Sequence, residues 1–206
     1  MAIKRFFRVM LATVLLCVLP SIVFANPLVV FFGDSVTHNW GKYRDPFFST
    51  NNFLCKGIDD ETTGDMLKRY ASDVIGQHPQ VVVILAGAND IAQNNGVFVT
   101  AEQISSNIFY MAKMAQKAGI KVVLCSVLPS SGTNAVPANF ISQLNTIVEE
   151  WAANNNCEYV DYYSLFVQAD GSLDPKFSND NCHLLTEGYY IMEQAIMPIL
   201  EPMLNK

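Results

Sequence analysis

Several reactive side chains fall where the chain must turn. Gly33-Asp34-Ser35 follows the apolar run Leu28 to Phe32 directly, which puts a hydroxyl on a sharp turn at the carboxyl end of a strand, the rim where open α/β sheets bind ligands. Alone, the tripeptide reads first as turn and cap geometry. Three more segments accompany it: Lys56-Gly57-Ile58, Gly87-Ala88-Asn89-Asp90 and Asp180-Asn181-Cys182-His183. Acyl transfer needs a nucleophile, a base to take its proton, a group to orient that base, and donors aimed at the developing oxyanion. A hydroxyl, an imidazole, a carboxylate and an amide are side chains of those kinds.

Positioning such groups falls to short apolar runs that alternate with segments of helical period. Leu28 to Phe32, Val81 to Leu85 and Lys121 to Val127 are rich in β-branched residues and almost free of polar breaks, as strands covered on both faces should be. Phe53-Leu54-Cys55 and Tyr159-Val160-Asp161 are shorter strand candidates. Ile104, Ile108, Met111, Ala112, Ala115 and Ala118 share one helical face between a Thr100-x-x-Gln103 capping box and Gly119. Phe140, Ile141, Leu144, Ile147, Val148 and Trp151 repeat the pattern, and Thr186 is expected to cap a last helix containing Ile191 and Ile196. Alternating strand and helix implies a parallel sheet with helices on both faces, in one domain over residues 26–206. Tyr162 to His183 shows no clear period, and a loop of that length is more often functional than idle.

Together and in this order, the four reactive segments resemble the SGNH hydrolases, the GDSL esterase and lipase family. The resemblance runs from Val29 through His183-Leu184-Leu185-Thr186-Glu187-Gly188-Tyr189; Phe32-Gly33-Asp34-Ser35-Val36-Thr37 and the Gly87 to Asp90 block are its specific parts, the Gly57 block less so. It implies an α/β fold: a flavodoxin-like three-layer α/β/α sandwich with a five-stranded parallel sheet in the order 2-1-3-4-5. It also implies Ser35 as nucleophile, His183 as base and then acid, and Asp180 as the group that orients His183. The implied oxyanion hole comprises the backbone N–H groups of Ser35 and Gly57 and the side-chain amide of Asn89. In that strand order the turns bearing Gly57 and Asn89 flank Ser35, while the base returns from beyond the fifth strand. That distance is some 10 to 15 Å at about 4.8 Å per strand, and Tyr162 to His183 is long enough to cover it.

Glycine at position 57 is expected to keep a side chain from crowding the substrate, and Asn89 to donate without a buried charge. The chain departs from the family's Asp-Gly-x-His: Asn181 replaces the glycine, which Asn tolerates because it enters left-handed backbone more readily than most residues. Cys182 beside the base has no assigned role, and Asp174 is the alternative orienter. His38 and Trp40 are candidates for lining the acyl or alcohol pocket. Asp34 is expected to brace the nucleophile turn and His78 to lie in a surface loop. Asp59, Asp60, Glu61 and Asp65 are expected to form a solvated approach to a helix rather than a cation site.

Composition narrows the partners. The chain has 206 residues, 50% hydrophobic and 16% charged, with a formal charge of −6. Lys4, Arg5 and Arg8 precede an uncharged stretch, Val9 to Ala25, that ends in Val23-Phe24-Ala25, the pattern of a cleaved secretory signal peptide. Its 17 residues include Pro20 and fall short of the about 20 apolar residues a spanning anchor needs. Leu16 before Cys17 does not suit lipoprotein processing. A secreted or periplasmic location without stable membrane insertion is expected.

The first 25 residues hold three of the 13 basic residues and none of the 19 acidic ones, so the remainder carries ten against 19, a charge of −9. That balance disfavours nucleic acid and strongly anionic surfaces, and favours neutral acylated substrates. Cys55, Cys125, Cys157 and Cys182 permit two disulfides, but their spacing is not a dense framework and buried or free thiols are expected. No Gly-x-Ser-x-Gly, His-Glu-x-x-His, P-loop or Gly-x-Gly-x-x-Gly occurs, and no cofactor or metal is expected. The expected activity is hydrolysis of small acyl esters, acetyl foremost, on small-molecule or glycan substrates. A lysophospholipase or thioesterase would call for an apolar channel, and a non-catalytic carbohydrate-binding module would leave the reactive residues idle.

Overall fold

The computed structural model describes residues 28–130 and 138–204, so the expected signal segment lies outside the described residues. In chain order the elements are β1 (Val29–Gly33), α1 (Ser35–Tyr43), α2 (Asp45–Asn51), β2 (Phe53–Gly57), α3 (Thr63–Asp73), β3 (Val81–Leu85), α4 (Ala88–Ile91), α5 (Ala101–Lys117), β4 (Lys121–Cys125), α6 (Ala138–Asn154), β5 (Glu158–Val160), α7 (Tyr163–Phe166) and α8 (Thr186–Met203). The five strands form one parallel sheet in the order β2-β1-β3-β4-β5, the order the family resemblance implies.

Side chains alternate across a strand, and the core divides accordingly. Val30, Phe32, Val82, Ile84, Val122 and Leu124 meet α3, α5 and α6 on one face through Met66, Tyr70, Ile104, Met111, Leu144 and Val148. Val29, Phe31, Val81, Val83 and Val123 meet α1, α2 and α8 on the other through Trp40, Phe47, Phe48, Tyr189, Met192 and Ile196. Register then levels one rim of the sheet: Gly33 pairs with Gly57 on one side and Leu85 on the other, so β1, β2 and β3 release their following segments at the same height.

The expected α5 capping box forms, with the Thr100 hydroxyl accepting from the Gln103 N–H and the Gln103 side chain accepting from the Thr100 N–H. Other boundaries differ. β4 ends at Cys125 rather than Val127; the Ser126 N–H still donates to the Val160 carbonyl of β5 at 3.0 Å, and Ser126, Val127 and Leu128 stay buried. Thr186 is the first residue of α8 rather than its cap; the Leu185 N–H donates to the Phe177 carbonyl at 2.7 Å, which keeps the chain extended up to Leu185. Tyr162 to His183 is not structureless: it holds α7, a Val167–Leu173 antiparallel bridge and a 3₁₀ turn at Pro175–Phe177. Phe166, Leu173 and Phe177 anchor it in the core. Cys55, Cys125, Cys157 and Cys182 are free. Among the described residues no helix is long and apolar enough to cross a membrane.

Candidate active site

The Ser35 turn is built by close packing. A Cβ on Gly33 would stand 2.1 Å from Thr37 Oγ1 and 2.7 Å from the Leu85 carbonyl, so only glycine lets α1 fold back this tightly on the sheet. Asp34 caps α1, its Oδ1 accepting from the Val36 N–H at 3.0 Å, which braces the turn as expected. Ser35 is the first residue of the helix, where unpaired N–H groups and the helix dipole favour negative charge. Asp34 is 1% exposed and its Oδ2 has no hydrogen-bond partner. Burial pushes its carboxyl up to about 6, against the opposing effects of the Val36 N–H and the nearby His183.

From the far side of the sheet His183 arrives through Asn181, whose backbone is left-handed at φ 62°. Ser35 Oγ lies 2.9 Å from His183 Nε2, and His183 Nδ1 lies 2.8 Å from Asp180 Oδ2. Asp180 Oδ1 accepts from the His183 N–H at 2.7 Å, the Cys182 N–H at 3.0 Å and the Ser178 hydroxyl at 3.0 Å. Burial alone would raise the Asp180 carboxyl; the His183 N–H and ring, the Cys182 N–H and the Ser178 hydroxyl outweigh it and hold the group well below the usual carboxylate range. Asp174 instead caps the Pro175–Phe177 turn through the Lys176 N–H, so the alternative orienter is excluded.

Asn89 sits in α4 with both ends of its amide occupied. Nδ2 donates to the Glu61 carbonyl at 3.0 Å, and Oδ1 accepts from Asn94 Nδ2 at 2.6 Å, which leaves the second N–H of the amide for the cavity that Asn89 lines. Asp90, buried, receives the Thr63 N–H at 2.8 Å and the Thr63 hydroxyl at 2.7 Å, clamping α4 to the start of α3. Burial raises the Asp90 carboxyl against those two bonds.

Three sequence expectations need correction. Gly57 does not line the Ser35 cavity; it faces a separate groove with His38 and Cys55, and its N–H lies against the Cys55 thiol. Its glycine serves packing, since a Cβ would stand 2.0 Å from the His38 nitrogen of α1. Asp60 is the residue after β2 that does line the cavity, with left-handed backbone at φ 61° and an N–H that carries no hydrogen bond among the described residues. His38 is exposed, pairs with Asp59 at 3.0 Å and faces the other groove. Trp40 is 1% exposed, packed among Phe31, Phe47 and Tyr189 with its indole N–H on Glu193. It is core.

The cavity measures about 440 Å³ and is lined by Ser35, Asn89, His183, Asp60 and Asn94, with Val127, Leu128, Pro129 and Ile141 among its apolar walls. Residues 31–191 match the family model of the GDSL-like lipase/acylhydrolase family. The chain belongs to this family. A GDSL-like lipase of Bacteroides thetaiotaomicron is 35% identical and superposes with a TM-score of 0.82 over 88% of this chain and 93% of its own. An acetylxylan esterase of Geobacillus stearothermophilus, 19% identical, shares the fold with a TM-score of 0.71 over 84% of this chain and 93% of its own. An uncharacterised lipoprotein of Bacillus subtilis, YqeF, is 32% identical over 118 residues; the match spans about half of either protein, 49% of this chain and 48% of that one.

Within this GDSL-family site the sequence reading missed Asp60 and Asn94. The feature that makes Asp60 a candidate is its unpartnered backbone N–H, which every residue type but proline supplies. Asn94 lies in the polar run Gln93-Asn94-Asn95-Gly96, whose composition signals only a turn. Cys182 also lines the cavity; burial and then the Asp180 charge raise its thiol, which disfavours the thiolate a second nucleophile would need. Among the described residues no group of three His, Cys, Asp or Glu side chains is placed to hold a metal ion.

Proposed function

We propose that this acylhydrolase is a serine esterase that removes small acyl groups, acetyl foremost, from neutral hydroxylated substrates, with carbohydrate as the alcohol. The observation that carries this reading is the unbroken hydrogen-bond line from Asp180 through His183 to Ser35, ending in a cavity that Asn89 also lines. His183 Nε2 takes the Ser35 proton as Oγ attacks the acyl carbonyl. The carbonyl oxygen becomes an oxyanion that accepts from the Ser35 N–H, the Asp60 N–H and Asn89 Nδ2, a reading supported by the three residues lining one cavity. Asp180 stays ionised and offsets the charge of the imidazolium. His183 then gives its proton to the departing alkoxide, leaving an acyl ester on Ser35. Water attacks that ester with His183 again as base, and the carboxylic acid leaves as Ser35 regains its proton.

The cavity volume, near the low end of the ~300–1,000 Å³ range of ligand pockets, supports a small acyl group. Asp34 and Asp60 at its wall, with no Lys or Arg among the described lining residues, support a neutral alcohol over an anionic one. The acetylxylan esterase offers a relative of the same fold that deacetylates a glycan. The basic and apolar segment before Asn26 supports export. A second reading is favoured by the apolar walls at Val127, Leu128, Pro129 and Ile141: a longer acyl chain, as in a lysophospholipase or thioesterase. Nitrophenyl esters of two to sixteen carbons separate the two, with turnover peaking at two to four carbons expected. A maximum at twelve or more would replace the first reading with the second. A chain inert to every ester that still binds glycans would be a binding module.

A further inference from the structure

Arg69 stands on α3 behind the cavity rather than in it, with its side chain 14% exposed. The guanidinium spreads its donors over four partners: Nη2 to the Gly33 carbonyl at 3.0 Å, Nη1 to the Lys56 carbonyl at 3.1 Å and Asp73 Oδ2 at 2.9 Å, and Nε to Glu61 Oε2 at 2.6 Å. Its Cζ also lies 4.2 Å from the centre of the Phe32 ring. Three of these partners lie on the segments that carry the donors assigned to the oxyanion. The Gly33 carbonyl opens the turn that carries Ser35. The Lys56 carbonyl holds the end of β2 from which the Asp60 turn departs. Glu61 follows Asp60 directly, and its own carbonyl accepts Asn89 Nδ2 at 3.0 Å.

We propose that Arg69 is the positioning residue of the oxyanion hole, one planar cation that fixes the Ser35, Asp60 and Asn89 donors relative to one another. This inference rests on the serine-esterase reading of the same site. The Asp60 turn needs such a fixture: it is irregular, passes through left-handed backbone, lines the cavity and has an N–H with no hydrogen-bond partner among the described residues. A preorganised donor contributes to the rate only if its position is held before charge develops. Arginine suits the task because a rigid fork spans carbonyls on two strands and a carboxylate at once, whereas a lysine ammonium is a single point on a flexible stem. Glu61 thereby has two linked duties, its carboxylate holding Arg69 and its carbonyl turning the Asn89 amide.

The test uses the full chain with Arg69→Met, Arg69→Lys and, as a comparison, Arg44→Met, which breaks the equally well-formed Arg44–Glu193 pair at 2.7 Å on the other face of the sheet. Each is measured for thermal melting, for kcat and KM on nitrophenyl acetate per folded molecule, and for binding of a small alkylboronic acid. Boron adds Ser35 Oγ, and the resulting tetrahedral boronate oxygen occupies the oxyanion position. Both Arg69 variants should lose roughly 10- to 100-fold in kcat with KM within about twofold, and boronate affinity should fall by a similar factor. Arg44→Met should lower the melting temperature and leave kcat unchanged. If Arg69→Met fails to fold, Arg69→Lys, which keeps a charge against Glu61 and Asp73, decides alone. Unchanged kcat and boronate affinity in a folded Arg69 variant overturn the inference, as does an equal kcat loss in Arg44→Met. A wild-type chain that neither cleaves the ester nor binds the boronate overturns the serine-esterase reading itself.

Discussion

Asn89 is held at both ends of its amide, which makes its contribution separable from that of Ser35. Asn89→Ala should lower kcat by roughly 10² to 10³, the usual cost of one oxyanion donor, with KM little changed in steady-state assays on nitrophenyl acetate. Asn94→Ala should cost less, because the Glu61 carbonyl still fixes Nδ2. Asp34 gives a pH signature. Its folded value of about 6 exceeds the ordinary 3.8, so between those values the folded chain keeps a proton that the unfolded chain has released. Its stabilisation is present in full below about pH 4 and is lost as pH rises through about 6. Asp34→Asn keeps the cap to Val36 and removes that slope: urea titrations should show the variant gaining on wild type by on the order of 2 kcal/mol from pH 4 to pH 7. At this scale Ser35, His183 and Asp180 were legible in the sequence because their chemistry resides in side chains. Asp60 was not, since an N–H is common to almost every residue. Gly57 was misread because a glycine reports only that a Cβ does not fit, and the atoms that exclude it belong to α1.

The levelled ends of β1, β2 and β3 bring the Ser35 turn, the Asp60 turn and α4 to one rim, and that levelling depends on α1 lying hard against β2. Gly57→Ala would drive a Cβ to within 2.0 Å of the His38 nitrogen and must push α1 away. It should destabilise the chain by about 1–3 kcal/mol, the usual cost of overpacking. It should also lower kcat, because α1 carries Ser35 at its first residue; calorimetry and ester hydrolysis on the same sample check both effects. The strands were legible because β-branched runs buried on both faces leave a continuous apolar signature, as in Val81–Leu85. β5 was visible only within a residue, since a three-residue edge strand has too few positions to define its ends. The α3 capping box, Thr62 with Asp65, lies inside an acidic stretch whose charge masks it. The organisation of Tyr162 to His183 was hidden for another reason: its bridge and 3₁₀ turn are fixed by distant core contacts of Phe166 and Phe177, not by local period.

Across the whole molecule, one layer of helices carries Ser35 and the other carries Arg69, with the sheet between them and His183 returning over its rim. Charge acts at the same scale. A chain of −6 whose cavity shows the exposed Asp60 and no described Lys or Arg should cleave the acetyl ester of a neutral sugar faster than that of a uronic acid. The ratio of kcat/KM values should shrink as salt is raised, because screening weakens repulsion between exposed charges. All of this depends on Ser35 bearing the acyl group. The most direct measurement is peptide mass spectrometry of the chain treated with a small alkyl phosphonofluoridate, beside Ser35→Ala. One adduct should appear on the peptide containing Ser35, esterase activity should vanish in proportion to it, and Ser35→Ala should show neither label nor turnover. Ester hydrolysis that survives in Ser35→Ala, or that persists in fully labelled protein, would contradict the account.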